Sequence, residues 1–204
     1  MELDHVLVAV PDLAAGVRAI EAALGLTSVE GGRHPGWGTA NRIVPLGSAY
    51  LELVAVVDAG EAAAHTFGRW LAATQPAGGP FGWAVRTEEI DRVAERLGLP
   101  VRDGSRATSD GRLLRWRTAG LEQAAAEPFL PFYIEWAAGT RLPGRAAVTH
   151  PAGALEITEV ALVGDADRLA AWLGGQRLPV TVRPGASSLE RVALSGPAGR
   201  LLLP

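Results

Sequence analysis

The sequence predicts an α+β protein in which repeated βαβββ units form a half-open, mixed-sheet barrel with the helices outside. Three apolar segments begin at His5, Gly82 and Glu159 with equal spacing, and each leads into a helix with acidic residues near its start. Within each unit the later strands are joined by short turns, which requires antiparallel pairing. Each unit has one helix for two apolar sheet faces, so two units must pack or close on each other.

In the first unit, apolar and β-branched runs predict the strands, and capping residues predict the helix ends. Asp12 lies in the capping region of a helix that continues through Leu24, and Gly25 ends it. A turn at Gly47 and Ser48 joins two later strands. The predicted strands cover residues 3–10, 26–30, 41–46 and 50–57, and a connecting helix covers residues 61–73.

The same order of elements follows twice more along the chain. The second unit has a helix over residues 88–97, a turn at Asp110-Gly111, and strands over residues 81–87, 99–103, 113–118 and 132–136. The proline- and glycine-containing loop over residues 137–153 is typical of a linker. We therefore divide the chain into paired units over residues 1–136 and a third unit over residues 155–204. The third unit has a helix at 165–173 and strands at 155–163, 180–183, 189–195 and 200–203.

The composition of the 204 residues removes several classes of chemistry. The sequence has no Cys and no Lys, which excludes thiolate nucleophiles, Schiff-base lysines and a lysine-dependent phosphate loop. The net charge of −3 gives no basic footprint for nucleic acid. No apolar run reaches the length of a membrane span, and the N-terminus does not have the pattern of a signal peptide. We therefore expect a cytoplasmic protein with no nucleic-acid or membrane partner.

Several segments together resemble one known superfamily. They are Leu3-Asp4-His5-Val6, Val10-Pro11-Asp12-Leu13, the glycine-rich run from Gly31 to Asn41, Tyr50-Leu51-Glu52-Leu53, the run from Asp110 to Arg117 and the run from Pro131 to Trp136. This arrangement resembles the vicinal oxygen chelate superfamily, which contains glyoxalase I, extradiol dioxygenases and bleomycin-resistance proteins, and within it the glyoxalase-like domain group. The resemblance covers roughly residues 1–136. The superfamily hosts many chemistries, so the likeness implies a fold more strongly than an activity.

The resemblance implies where a metal would lie. Metal sites of the superfamily take one ligand from the first strand and one from the last strand of each of two units. The corresponding positions here are His5, Glu52, Gly82 and Glu135. Because Gly82 has no side chain, the implied site is a divalent ion (Zn, Ni, Mn, Fe or Mg) held by His5, Glu52 and Glu135, and a metal-free polar pocket is the alternative.

Strand alternation supports placing some of these residues together. Tyr50 and Glu52 share one face of their strand, and Tyr133 and Glu135 repeat this spacing in the second unit. A carboxylate between apolar neighbours costs several kcal/mol to bury unless it is paired or metal-bound. We therefore expect Glu52 and Glu135 to converge with His5. The other interpretation is that both carboxylates are solvated at the barrel mouth.

The remaining candidates belong to the predicted pocket. His34, in the glycine-rich segment, is interpreted either as part of a structural loop or as a catalytic acid/base group at the pocket rim that could replace the ligand missing at Gly82. Glu135 is the second catalytic candidate. His65 and His150 are expected on the surface. The predicted substrate pocket consists of His34, Asn41, Tyr50, Trp83, Arg115 and Tyr133.

Two functions remain open on this reasoning. The first is a metal-dependent lyase or isomerase that acts on a small oxygenated substrate, with a carboxylate as base. The second is a metal-free protein that sequesters a small molecule in the same cavity. In either case the third unit is expected to pack against the first two units or to pair across a homodimer, without forming a second site.

Overall fold

The computed structural model describes residues 1–108, 111, 113–197 and 199–203, so that Asp110 of the predicted turn and Arg112 lie outside the described residues. The first unit has the predicted βαβββ order. Its helix is bounded by Asp12, whose side chain accepts from the Ala15 amide, and by Gly25, which has a φ of 61°. The elements are β1 Glu2–Ala9, α1 Leu13–Leu24, β2 Val29–His34, β3 Thr39–Leu46 and β4 Ala49–Val56.

The second unit follows two connecting helices, α2 Ala59–Ala64 and α3 Thr66–Thr74. It differs from the prediction by an additional short helix between its last two strands. Its elements are β5 Gly79–Arg86, α4 Ile90–Leu97, β6 Val101–Ala107, β7 Leu113–Ala119, α5 Leu121–Ala126 and β8 Phe132–Trp136. The third unit consists of β9 Glu156–Val163, α6 Ala166–Leu173, β10 Val180–Arg183, β11 Ser188–Gly196 and β12 Gly199–Leu203.

The first two units form one curved sheet of eight strands in the order β2-β3-β4-β1-β5-β8-β7-β6. Strands β1 and β4 are parallel, as are β5 and β8, while β1 and β5 pair antiparallel and join the units. Across the gap between the two edge strands, the Arg106 guanidinium on β6 donates to the Gly31 carbonyl on β2. The sheet is therefore a nearly closed barrel, and the predicted α+β fold is confirmed.

The outer face of this sheet carries the larger hydrophobic core. Residues from β1, β4, β5, α1 and α4 pack there, together with residues from the third unit. The Tyr133 hydroxyl on β8 donates to the Trp172 carbonyl on α6 over 2.7 Å, and the Trp172 indole donates to the Pro131 carbonyl over 2.9 Å. The third unit thus packs against the first two within one chain, and a homodimer stays a prediction.

The third unit forms its own four-stranded sheet in the order β10-β9-β11-β12. Asp165 caps α6, because its side chain accepts from the amides of Asp167 and Arg168. No helix among the described residues is long and apolar enough to cross a bilayer. A cytoplasmic location stays a prediction from the sequence.

Two helices lie on the inner face of the barrel, where the sequence did not place them. A second core contains Phe67, Trp70 and Leu71 of α3 and Leu121 and Ala124 of α5, packed on inward-facing residues of the sheet. The expectation of outer helices therefore applies to α1, α4 and α6, whereas α3 and α5 fill part of the barrel. They do so because the inner residues of the second unit are apolar and require a cover.

Gly82 on β5 lies directly beneath one of these inner side chains. A Cβ atom at Gly82 would lie 2.3 Å from the Cη2 atom of Trp70. This is the position at which the family resemblance implies a fourth metal ligand. In this chain that space is taken by the Trp70 indole, so the glycine is required by packing.

We predict that Gly82→Ala destabilises the fold by about 1–3 kcal/mol, because the added methyl group overpacks the contact with Trp70. Gly60→Ala is the matched control. Gly60 lies in the first turn of α2, and a Cβ atom added there would lie 3.4 Å from its nearest contact, Asp58 Oδ1. The control should be neutral or slightly stabilising. Urea unfolding of both variants measures this, and equal stabilities would contradict the packing argument.

Candidate functional site

Four polar side chains of the first unit meet on the inner face of the barrel. Pairing of β1 with β4 places His5 beside Tyr50, and Glu52 lies two residues further along β4 on the same face. Pairing of β2 with β3 brings His34 beside Thr39, with Asn41 on the same face. His5, His34, Asn41 and Glu52 are all buried. We call these four residues the polar cluster.

Glu52 lies at the centre of the polar cluster. Its Oε1 atom accepts a hydrogen bond from the Asn41 amide nitrogen over 2.7 Å. The Nε2 atom of His5 is 3.5 Å from Oε2, and the Nε2 atom of His34 is 3.8 Å from Oε1. The carboxylate therefore faces an imidazole on each side, while Oε2 is the oxygen less engaged by hydrogen bonds.

Asp4 fixes the orientation of the His5 ring. The Nδ1 atom of His5 is 2.7 Å from Asp4 Oδ1, and the carboxylate identifies Nδ1 as the donor. Asp4 Oδ2 accepts from the Arg86 guanidinium over 3.2 Å and from the Trp136 indole over 3.0 Å. Neighbouring residues of a regular strand point to opposite faces, but the pairing of β1 with β5 shifts register between Leu3 and His5. This irregularity allows the side chains of the adjacent residues Asp4 and His5 to contact each other.

His34 is a neutral imidazole at neutral pH. Burial lowers its pKa to about 4 and outweighs the opposing effect of Glu52. Its Nε2 atom is 3.3 Å from the Asn41 amide nitrogen, which is a donor, so Nε2 accepts and Nδ1 carries the proton. Nδ1 in turn lies 2.8 Å from Thr39 Oγ1. The sequence placed His34 in a loop at the pocket rim, but it lies buried at the end of β2.

Aromatic side chains close the cavity above the polar cluster. The Tyr50 ring stacks on His5 with centroids 4.8 Å apart, and burial raises the Tyr50 pKa well above its usual value. The cavity has a volume of about 40 Å³, room for a few water molecules at most. The remaining walls include Trp37, Phe67, Arg106, Trp116, Phe132 and Trp136.

Glu135 is not part of this site, which corrects its expected convergence with His5 and Glu52. Its Oε2 atom accepts from Arg117 Nε over 2.9 Å, and its Oε1 atom from the Ile90 amide over 3.3 Å. On β8 it is Phe132 and Ile134 that face the cavity. Because successive residues of a strand alternate, Glu135 and Tyr133 point to the other face. Strand β8 is thus offset by one residue from the assumed alignment.

Three other predicted pocket residues also lie elsewhere. Tyr133 bonds to Trp172 on the outer face, as described above. Trp83 is buried in the outer core, where its indole donates to the Phe129 carbonyl over 3.2 Å. Arg115 is exposed and lines a separate groove, not the cavity above the polar cluster. Of the predicted pocket, His34, Asn41 and Tyr50 line the cavity.

The two histidines expected on the surface have structural contacts. His65 is half-buried, accepts from the Phe67 amide over 3.2 Å and stacks on Trp37. His150 is buried, which corrects the expectation. Its Nδ1 atom accepts from the Thr27 amide over 3.0 Å, and its Nε2 atom donates to the Pro45 carbonyl over 2.7 Å. Both rings hold chain segments together and lie outside the polar cluster.

The resemblance implies a metal ion, and the side chains of the polar cluster can be compared with the ligands that such an ion requires. Two imidazole nitrogens and a carboxylate are suitable ligand types for a divalent ion. However, each imidazole faces a different oxygen of Glu52, and Oε1 is already bonded to Asn41. Within the described part of the chain, no group of three or more His, Asp or Glu side chains is arranged to hold a metal. The residues as arranged do not fit a metal centre.

Comparison with known proteins identifies the family. The profile of the family described as a glyoxalase-like domain matches residues 3–178. The chain belongs to the glyoxalase-like domain family. This match confirms the resemblance to the vicinal oxygen chelate superfamily. The glyoxalase-like chain has no significant match among curated proteins.

Several solved structures are similar to this glyoxalase-like protein. A hypothetical protein from Staphylococcus aureus superposes with a TM-score of 0.75 at 14% identity, covering 95% of this chain and 90% of that chain. A single-residue variant of methylmalonyl-CoA epimerase from Streptomyces coelicolor gives a TM-score of 0.49 at 20% identity, and the match covers 69% of this chain and 99% of that chain. The methylmalonyl-CoA epimerase from Mycobacterium tuberculosis gives a TM-score of 0.47 at 19% identity, and the match covers 66% of this chain and 86% of that chain. At 14% identity, the first likeness establishes the fold.

We predict that His34 makes the fold sensitive to acid. Between pH 6.5 and about 4 the unfolded chain binds a proton at His34 that the folded chain does not, so stability falls as the pH falls through this window. The loss should reach up to about 3 kcal/mol at the lower end. Urea unfolding of wild type and His34→Gln at both pH values measures it. The variant should lose less stability than wild type, and an equal loss would contradict the assignment.

Proposed function

We propose that this glyoxalase-like protein is an enzyme that moves a proton on a small oxygenated substrate, as an isomerase or a lyase does, with Glu52 as the base. The observation that carries the proposal is the buried Glu52 carboxylate between two imidazoles. A carboxylate in such a place costs several kcal/mol to bury, and the hydrogen bond from Asn41 offsets part of that cost. Buried titratable groups that line a cavity together are typical of catalytic sites.

The proposed reaction removes a proton from a carbon next to a carbonyl group. The C–H bond breaks, the proton moves to Glu52 Oε2, and the electron pair moves into the carbonyl to give an enolate oxygen. Return of the proton to the carbon skeleton at a different position or face completes an isomerisation, and departure of a leaving group completes an elimination. Oε2 suits this role because Asn41 engages Oε1.

His5 and Asp4 form the second part of the proposed machinery. The Asp4 carboxylate holds the Nδ1–H group of His5, so Nε2 is directed towards Glu52 at 3.5 Å. An imidazole positioned in this way by a carboxylate can relay a proton to or from a neighbouring group. We propose that His5 exchanges protons with Glu52 and with the enolate oxygen during turnover.

Asn41 and His34 hold the carboxylate in place. The Asn41 amide donates to Glu52 Oε1 and to His34 Nε2, so one side chain orders two others. Because the His34 pKa lies near 4, this imidazole adds no positive charge next to Glu52 at neutral pH. The carboxylate is therefore not paired with a cation on that side, which leaves it available to accept a proton.

No step of this proposal passes through a metal ion. The two imidazoles face different oxygens of Glu52, Oε1 is already bonded to Asn41, and the third ligand expected from the sequence, Glu135, lies on the opposite face of the sheet. The metal-dependent form of the enzyme hypothesis is therefore set aside in favour of the residues themselves. A metal-free sequestration protein remains the second candidate, since aromatic walls enclose the cavity.

Replacement of the base tests the proposal. Wild type in D₂O should exchange the acidic C–H proton of at least one compound in a panel of small 2-oxo acids and α-hydroxyketones, followed by proton NMR. Glu52→Gln should lower the exchange rate by about 100-fold or more, within the range typical of general base catalysis. Glu135→Gln is the matched control and should exchange at the wild-type rate, because its carboxylate faces away from the cavity.

Two outcomes of this assay would contradict the proposal. Equal exchange by wild type and Glu52→Gln would remove Glu52 as the base. A folded wild type that binds compounds of the panel without exchanging any of them would favour the sequestration protein.

Elemental analysis tests the metal-free form of the mechanism. Protein purified without chelators should contain no stoichiometric divalent metal, because Asn41 engages Oε1 of Glu52 and the two imidazoles face different oxygens of that carboxylate. A stoichiometric metal present in wild type and lost in both Glu52→Gln and His34→Gln would instead support an ion between these side chains.

A further inference from the structure

Arg106 divides the interior of the barrel into two compartments. The cavity above the polar cluster has a volume of about 40 Å³. A second, open groove of about 520 Å³ lies between the edge strands and is covered by the linker around residues 137–147. Arg106 lines both compartments, and its guanidinium reaches across the gap to the Gly31 carbonyl.

The two compartments lie close together along the sheet. Ile43 lines the groove, and it pairs directly with Glu52 of the polar cluster in the ladder of β3 and β4. A space of about 40 Å³ is too small for a substrate of several heavy atoms. A substrate of that size that reaches Glu52 therefore extends beyond the cavity, and Arg106 lines both the cavity and the groove.

The groove is positively charged. Its charged lining side chains are Arg106, Arg115, Arg141 and Glu30, which gives an excess of cationic groups. Arg106 is only 4% exposed, and its guanidinium donates to a neutral carbonyl. Within residues 1–108, 111, 113–197 and 199–203, no carboxylate forms an ion pair with any of these three arginines. A buried guanidinium with such surroundings is suited to an anionic partner.

We propose that the groove binds the anionic end of the substrate, a carboxylate or a phosphate, and that Arg106 is its main ligand. Arg115 and Arg141 supply further positive charge from the outer wall. This inference rests on the proposed function in one respect, since an anion held at Arg106 directs the rest of the molecule towards Glu52. Arg106 thereby selects substrates that combine an anionic group with a carbonyl.

The test uses inorganic phosphate as the probe and the full chain, with binding followed by isothermal titration calorimetry. Wild type should bind phosphate at millimolar concentrations. Arg106→Gln should weaken this binding by about tenfold or more, because a charge-assisted hydrogen bond is lost. Arg102→Gln is the matched control on the same strand, since Arg102 is paired with Glu122 and does not line the groove. The control should bind as wild type does.

A second variant covers the case in which Arg106→Gln does not fold. The double variant Arg115→Gln, Arg141→Gln changes two side chains of the groove wall and should also weaken phosphate binding. The inference is overturned if wild type does not bind phosphate, if the folded groove variants bind as tightly as wild type, or if Arg102→Gln weakens binding equally. Phosphate binding is measured without turnover, so the result would stand even if Glu52 proved not to be the base.

Discussion

Burial of the Glu52 carboxylate is the constraint around which the interior of this barrel is organised. A charged group on the inner face of a central strand requires hydrogen-bond donors nearby, because water is largely excluded there. Asn41 donates to it directly, and the imidazoles of His5 and His34 flank it. Asp4, which orients His5, in turn requires Arg86 and Trp136 as donors. The need to satisfy one carboxylate thus extends to residues of both units of the barrel.

The two units of the barrel differ in the side chains on their inner faces. The first unit supplies every member of the polar cluster. The inner face of β5 and β8 in the second unit is apolar, with Ala84, Phe132 and Ile134 packed against α3 and α5. Gly82 stands where the first unit has His5, and the Trp70 indole covers it. One unit therefore carries the proposed chemistry, while the other supplies aromatic walls that exclude water and strengthen electrostatic interactions.

The sequence predicted the elements whose ends carry strong local signals. The helix between Asp12 and Gly25 and the first, third and fourth strands of the first unit agree with the structure, since capping residues and apolar runs act locally. The second strand was predicted at residues 26–30 but runs over Val29–His34. The short helix α5 was missed, because six residues carry little periodicity. The resemblance to the superfamily implied that His5 and Glu52 meet, and strand alternation placed Tyr50 on the same face as Glu52; all three line the cavity.

The assignment of Glu135 failed for a physical reason. On β8, Phe132 and Ile134 face inwards while Tyr133 faces outwards, yet all three are buried. When both faces of a strand are covered, the hydrophobic pattern does not show which face is the inner one. Asp4 and Arg106 were missed because their roles depend on a register shift and on closure of the barrel, which arise only in the folded chain.

The proposed role of Glu52 requires a carboxylate that can accept a proton while it is held in the buried network. An infrared difference spectrum between wild type and Glu52→Gln at neutral pH tests it most directly. The account predicts that the variant loses the antisymmetric stretch of one ionised carboxylate. Loss of the carbonyl stretch of a protonated carboxyl group would contradict the account, because a neutral Glu52 cannot act as the base.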